Sequence, residues 1–380
     1  MGTKVLLLFC LGTLLIGSRL MAEPSGAKEP QYFFVGTYTD AGSEGIYTFS
    51  LDPVTGKLSD HGLAAKSNNP SFLALTSDGK FLLAVHETKD ENGSSSGFVE
   101  SFETKSDHRL TSLSKASSGG AHPCYVSVSK DNYVLAANYT GGSVALFRLD
   151  NNGKLSAALD IQQHYGKGPN KARQGEPHVH SAFFEPGSER IFVADLGIDE
   201  VSVYQLDKSK SKLVATSIPA IKITPGSGPR HMAFHPILKL VYIVNELANT
   251  VAVVSLNKDQ SFTNIETVSA LPSGYDKPNT GADIHISNDG RFLYVSNRGL
   301  NSIAIFSVDS KNGKIALIGQ EPTKGDGPRN FTLSPDNSWL LVANQNTQDI
   351  VSFRRDATTG KLQFADQVKA LKPVCLLFQK

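Results

Sequence analysis

An internal repeat constrains this chain more than any other feature. One template recurs: a Pro-led apolar strand, a turn such as Ser-x-Asp-Gly, a second strand often ending in Asn, a third strand, then Leu-Asp and Gly-Lys-Leu. The third strand gives the count, because its first apolar residue falls at Ile46, Val99, Val144, Val201, Val251, Ile303 and Ile350. These positions lie 45 to 57 residues apart. A sheet of four short strands cannot bury both faces by itself, so neighbouring units must stack. A period of about 40–50 residues with four strands per unit marks a β-propeller blade. The expected fold is therefore all-β, a seven-bladed β-propeller with four-stranded blades. The 33 glycines and the scattered Asn-Gly and Asp-Gly pairs fit its many turns.

The two ends of the repeat are incomplete in complementary ways. The first unit begins at Tyr32-Phe-Phe-Val35, which matches the second strand of the template. The last residues, Lys372 to Phe378, are a Pro-led first strand with no unit after it. The C-terminal strand should complete the first blade and close the ring, protecting edges that an open array would expose. Ahead of the repeat, Lys4 precedes an apolar run from Val5 to Gly17, followed by Leu20-Met-Ala22. This reads as a signal peptide over residues 1–22 and a propeller domain over 23–380. The run is short for a membrane span. The expectation is an exported protein, periplasmic or secreted, with no membrane association after signal removal. Cys124 and Cys375 both fall in apolar strands of different units and read as buried small hydrophobes rather than a disulfide.

In a propeller the start of each first strand and the end of each second strand share one face near the axis. Projecting the repeat, that face collects His122, His178, His180, Arg230, His231, Asp283, His285 and Arg329 from strand starts. It collects Glu87, Asn138, Asp195, Asn245, Glu246, Asn297, Arg298 and Asn344 from second-strand ends. The segment 226–247 is the richest copy. Folded as a hairpin about Leu238, it sets Arg230 opposite Glu246. His180 is placed to pair with Asp195 across its own hairpin, and the recurring Asn reads as turn chemistry. An insertion, His164 to Glu176, precedes one first strand and should lie over the ring entrance.

The formal charge of +1, from 37 Lys+Arg against 36 Asp+Glu, offers no bulk attraction for nucleic acid. No Gly-x-Ser-x-Gly elbow, Rossmann or P-loop pattern is present. His178 and His180 lack a third ligand at fixed spacing, so no metal or cofactor is expected.

The repeats resemble the seven-bladed lactonase propeller family, which includes bacterial 6-phosphogluconolactonases and fungal carboxymuconate lactonising enzymes. The resemblance rests on Gly228-Pro-Arg-His-Met-Ala-Phe-His-Pro236, Asn245-Glu246-Leu247, Ala282-Asp-Ile-His285 with Asp289-Gly-Arg291, and Pro373-Val-Cys-Leu-Leu-Phe378. It implies a metal-independent lactone hydrolase or cyclase. It further implies catalytic roles for the His178/His180 pair, here assigned to His180, and for Arg230 and Glu246. Lactone opening needs an activated water, a stabilised oxyanion and a proton for the alkoxide. Glu246 or His180 is the expected base and Arg230 the expected stabiliser of charge. His178, His231, Asp283, His285, Arg298 and Arg329 are the expected substrate-binding residues, the last two gripping a phosphate or carboxylate by forked hydrogen bonds. The expected ligand is a small anionic lactone or sugar acid. The alternatives are a muconate-type cyclase and a non-catalytic exported binding propeller.

Overall fold

A computed structural model describes residues 1–2, 29–89 and 95–380. Apart from Met1 and Gly2, the signal peptide expected over residues 1–22 lies outside the described residues. No helix occurs among them. The strands form seven antiparallel sheets of four. Blade 1 holds Pro373–Phe378, Gln31–Thr37, Gly45–Leu51 and Leu58–Lys66. Blades 2 to 7 span 73–117, 123–163, 179–222, 229–269, 280–322 and 328–369. The ring closes as the chain ends anticipate: Phe33 pairs with Phe378, Phe34 with Leu377 and Val35 with Leu376.

The strand sequences follow from their place between two neighbours. Second strands such as Leu240–Asn245 and Trp339–Asn344 are buried along their whole length, because both sheet faces meet another blade. Outer strands such as Leu362–Lys369 alternate with water. The core accordingly lies between blades: Val244, Val251 and Val253 of blade 5 pack on Leu293, Val295 and Phe306 of blade 6.

The recurring Gly-Lys-Leu turn has a packing reason. Gly56 has φ +79°, and a Cβ there would fall 2.2 Å from the Trp339 ring in blade 7. Trp339 Nε1 donates to the Pro53 carbonyl at 3.1 Å, tying the same turn across the ring seam. Gly360 meets Phe292 at 2.3 Å in the same way. Each such turn caps the side chains that begin the second strand of the preceding blade.

The recurring Asn acts across the chain rather than within its own turn. Asn138 Nδ2 donates to the Ser118 carbonyl (2.9 Å) and Ser143 Oγ (3.0 Å), and Asn344 Nδ2 to the Thr323 carbonyl (3.1 Å) and Asp349 Oδ1 (2.8 Å). These amides lock the loop entering the blade to its third strand. Cys124 and Cys375 are buried, unlinked and in different blades, as expected.

One feature of the inner strands departs from a plain hairpin. Pro229 pairs with Asn245 and His231 with Val244, so Arg230 is an extra residue without a ladder partner. The expectation that Arg230 faces Glu246 in register is thereby corrected. Glu246 N–H bonds instead to the Gly228 carbonyl at 2.7 Å. Equivalent irregularities leave out Cys124, His180, Arg329 and Val374, and one occurs between Gly281 and Ile284. A bulge bends the strand and re-aims a side chain. Here the extra residues face the ring axis together.

Candidate active site

Three of the bulged residues, Cys124, His180 and Arg329, help line a cavity of about 330 Å³. It is lined by Cys124, His180 and Arg329 from strand starts and by Tyr38, Glu87, Tyr139, Glu246 and Arg298 from strand ends. Thr280 and Arg173 complete the lining. Below it, the rings of Phe72, Tyr125 and His231 meet at centroid distances of 4.1, 5.2 and 5.7 Å and fill the axis. The cavity has an aromatic floor.

Glu246 is the hub of the charged groups. Its Oε2 accepts from Arg230 Nε at 3.0 Å and lies 3.1 Å from Arg298 Nη2, while Oε1 accepts from Arg173 Nη2 at 2.7 Å. Burial opposes the carboxylate, but Arg298, Arg230 and Arg173 outweigh it and hold Glu246 down at about 2. Arg230 is almost completely enclosed, and Nη1 also donates to the Ala282 carbonyl at 2.5 Å. Burial and the neighbouring Arg298 and Arg329 lower its guanidinium to about 10, still a cation at neutral pH. Arg230 thus sits behind Glu246, while Arg173, Arg298 and Arg329 reach the cavity.

Arg329 differs from the other three. Its guanidinium lies over the Tyr38 ring, 5.3 Å from the centroid, and makes no ion pair or hydrogen bond among the described residues. Three guanidiniums line the pocket with two carboxylates, Glu87 and Glu246, and Arg230 stands behind Glu246, so the site carries a local positive excess in a nearly neutral chain.

His180 lines the cavity, with Nδ1 3.7 Å from Cys124 Sγ. Burial, reinforced by Arg230, His231 and Arg329, pushes its imidazole well below the usual range and keeps it neutral. The expected His180–Asp195 pair is absent. Asp195 Oδ2 instead bonds His164 Nδ1 at 2.8 Å, and Oδ1 accepts from the backbone of His178 and Gly197. His164 is the first residue of the insertion, so this contact anchors the loop over the entrance.

Four of the residues expected to bind substrate stand outside the cavity lining. His178 stacks on Tyr139 at 4.5 Å and bonds its carbonyl, outside the cavity lining. His231, Asp283 and His285 lie in the layer beneath. His231 Nδ1 bonds Asp283 Oδ1 at 2.8 Å, and Asp283 Oδ2 meets His285 Nε2 (3.1 Å) and Asn330 Nδ2 (2.5 Å). His231 follows the unpaired Arg230, His285 follows the irregularity between Gly281 and Ile284, and Asp283 lies within that irregularity. His122, with φ 51° before Pro123, bonds Thr140 Oγ1. Among the described residues no group of three or more His, Cys, Asp or Glu side chains is disposed to hold a metal.

A family profile described as Lactonase, 7-bladed beta-propeller, matches residues 32–378. The chain belongs to the seven-bladed β-propeller lactonase family. It is 37% identical over 348 residues to a 6-phosphogluconolactonase of Bacillus subtilis, covering 91% of this chain and 97% of the relative. A crystal structure of a putative 6-phosphogluconolactonase from Bacteroides fragilis superposes with TM-score 0.86 at 35% identity, covering 94% of this chain and all of the other. The structure of a periplasmic gluconolactonase from Pseudomonas aeruginosa gives TM-score 0.87 at 31% identity, over 93% and 99% of the two chains.

Within this lactonase propeller, the repeat projection brings together His180, Arg230, Glu246, Arg298 and Arg329. It leaves out Arg173, Tyr38, Tyr139 and Cys124 as cavity residues. Arg173 sits in the insertion, which has no counterpart in other blades, and bonds Glu246 and Tyr139 Oη. Its one available signal was a basic residue in a loop placed over the entrance.

Proposed function

We propose that this chain hydrolyses a sugar lactone in the axial cavity and that Arg329 reads an anionic group on the substrate. The observation that carries the reading is the guanidinium of Arg329, partly buried against Tyr38 yet engaged in no ion pair or hydrogen bond among the described residues. A charge held there gains strongly from a ligand anion, because hydrogen bonds to charged groups are worth about 1.5–3 kcal/mol. The lactonase names of the relatives support the reaction type. Arg298 stands beside Arg329 as a second contact. Glu246 holds Arg173, Arg230 and Arg298 in fixed positions, so their charge is in place before the oxyanion forms. His180, kept neutral, is a hydrogen-bonding group for a substrate hydroxyl or carbonyl.

The test is a panel of sugar lactones, with and without a phosphate, followed by acid release. Wild type is expected to open at least one of them. Arg329→Ala should raise KM for the anionic lactone roughly tenfold or more. An unchanged KM for every anionic lactone overturns the role of Arg329. No turnover on any lactone favours the binding propeller.

The leader-like sequence and the periplasmic relative support export of this chain. N-terminal sequencing of protein from the native host should find a mature chain beginning near Glu23. An intact Met1 on active protein in the cytoplasmic fraction would refute export.

A further inference from the structure

The reaction needs a proton acceptor beside the substrate, and the two groups first expected there are poorly suited. Both Glu246 oxygens are already committed to guanidiniums: Oε2 accepts from Arg230 and lies 3.1 Å from Arg298, and Oε1 accepts from Arg173. A carboxylate so saturated has little attraction for a further proton. His180 is enclosed among Arg230, Arg329 and His231, which oppose any added positive charge.

A second carboxylate lines the same cavity. Glu87 follows the second strand of blade 2, Phe81–His86, at the place Glu246 holds in blade 5. The surroundings of the two differ sharply. Glu87 has one side-chain donor among the described residues, Tyr38 Oη, which bonds Oε2 at 2.9 Å. No guanidinium or ammonium lies within ion-pair distance of it there. Its other oxygen makes no hydrogen bond or ion pair among the described residues. The Glu87 backbone is fixed by a hydrogen bond from its N–H to the Asn69 carbonyl at 3.1 Å, and Tyr38 holds the carboxylate itself.

We propose that Glu87 is the catalytic base of this lactonase, with Tyr38 as its positioning residue. The inference rests on the lactonase reading and assigns the proton-transfer group within it. Glu87 takes a proton from a water as that oxygen bonds to the lactone carbonyl carbon, and the carbonyl electrons move to the oxyanion facing the guanidiniums. When the oxyanion collapses, the ring C–O bond breaks and the alkoxide takes the proton back from Glu87. One water is consumed, a hydroxy acid forms, and its carboxyl proton passes to solvent. Tyr38 also carries Arg329 over its ring, so one side chain sets both the base and the anion hook.

The experiment compares wild type, Glu87→Gln and Glu87→Ala on a lactone that wild type opens. General-base catalysis contributes typically 10²–10⁴-fold. Glu87→Gln is therefore expected to lower kcat at least about 100-fold with KM little changed and an unaltered melting curve. Formate added to Glu87→Ala should restore part of the lost kcat by supplying a carboxylate in the vacated space. A merely structural role predicts no such rescue. Full activity in Glu87→Gln, a loss confined to KM, or absence of formate rescue overturns the proposal. If wild type opens no lactone, the lactonase reading itself fails, and that outcome is separate from failure of Glu87.

Discussion

Replacing Glu246 by glutamine is expected to destabilise the protein by about 3–5 kcal/mol, the range for removing one partner of a buried ion pair. The cost arises chiefly at Arg230, whose charge is enclosed and shares Glu246 with Arg173 and Arg298. The pH dependence has a definite sign. The carboxyl is held at about 2, against 4.5 in the absence of its partners. A depressed pKa contributes stability that is fully present above pH 4.5 and is lost as pH falls from 4.5 through 2. That shift corresponds to roughly 3 kcal/mol at neutral pH. Urea melts at pH 7 and near pH 2 measure both: the wild type–variant difference should be large at pH 7 and shrink toward pH 2. A difference that stays constant across this window would show that the cluster does not depend on the Glu246 charge. Because Glu246 stays ionised above pH 3 or so, an acid limb of activity near neutrality would have to come from another group.

Deleting the residues after Leu371 should abolish the cooperative fold. The deleted strand carries Val374, Cys375 and Leu376, all buried, and its removal uncovers Phe33 and Phe34 along the edge of Gln31–Thr37. Uncovering each large apolar side chain costs about 1.5–3 kcal/mol. Several together approach the whole stability of a domain, about 5–15 kcal/mol. The Asn330 contact is lost as well, since its Oδ1 accepts from Leu376 N–H at 2.7 Å. Circular dichroism and calorimetry of the truncated chain provide the check. A single sharp transition near the full-length value would mean that the seam is dispensable.

The ring was legible in the sequence because stacking imposes one period on every blade, visible at Ile46, Val99 and their successors. Closure was legible because the first and last units lack complementary strands. The site was legible to the level of the face, and no further, for a physical reason. A bulge does not disturb the apolar alternation on either side of it, so Arg230-His231-Met232 reads as an ordinary strand. Which of two adjacent polar residues meets the cavity is then decided by one unpaired residue. His180 and Arg329 fall at that position, whereas His231 and Asn330 follow it and join the floor. Arg173 was beyond the repeat altogether, since projection from blade to blade says nothing about an insertion. Glu87 stood on the projected face, but that no arginine comes within ion-pair distance of it among the described residues is a three-dimensional fact.

The bulges have a consequence for how this scaffold changes over time. A residue that pairs with no neighbour can be exchanged without slipping the register of its hairpin, and the present chain carries thiol, imidazole, guanidinium and isopropyl groups at Cys124, His180, Arg230 and Val374. The ring therefore holds a set of sockets, one per bulged blade, whose register does not depend on what they hold. Those that face the cavity, Cys124, His180 and Arg329, can be reset singly to reach new substrate preferences, whereas Arg230 and Val374 are tied to the frame by burial and, for Arg230, by its pairing with Glu246.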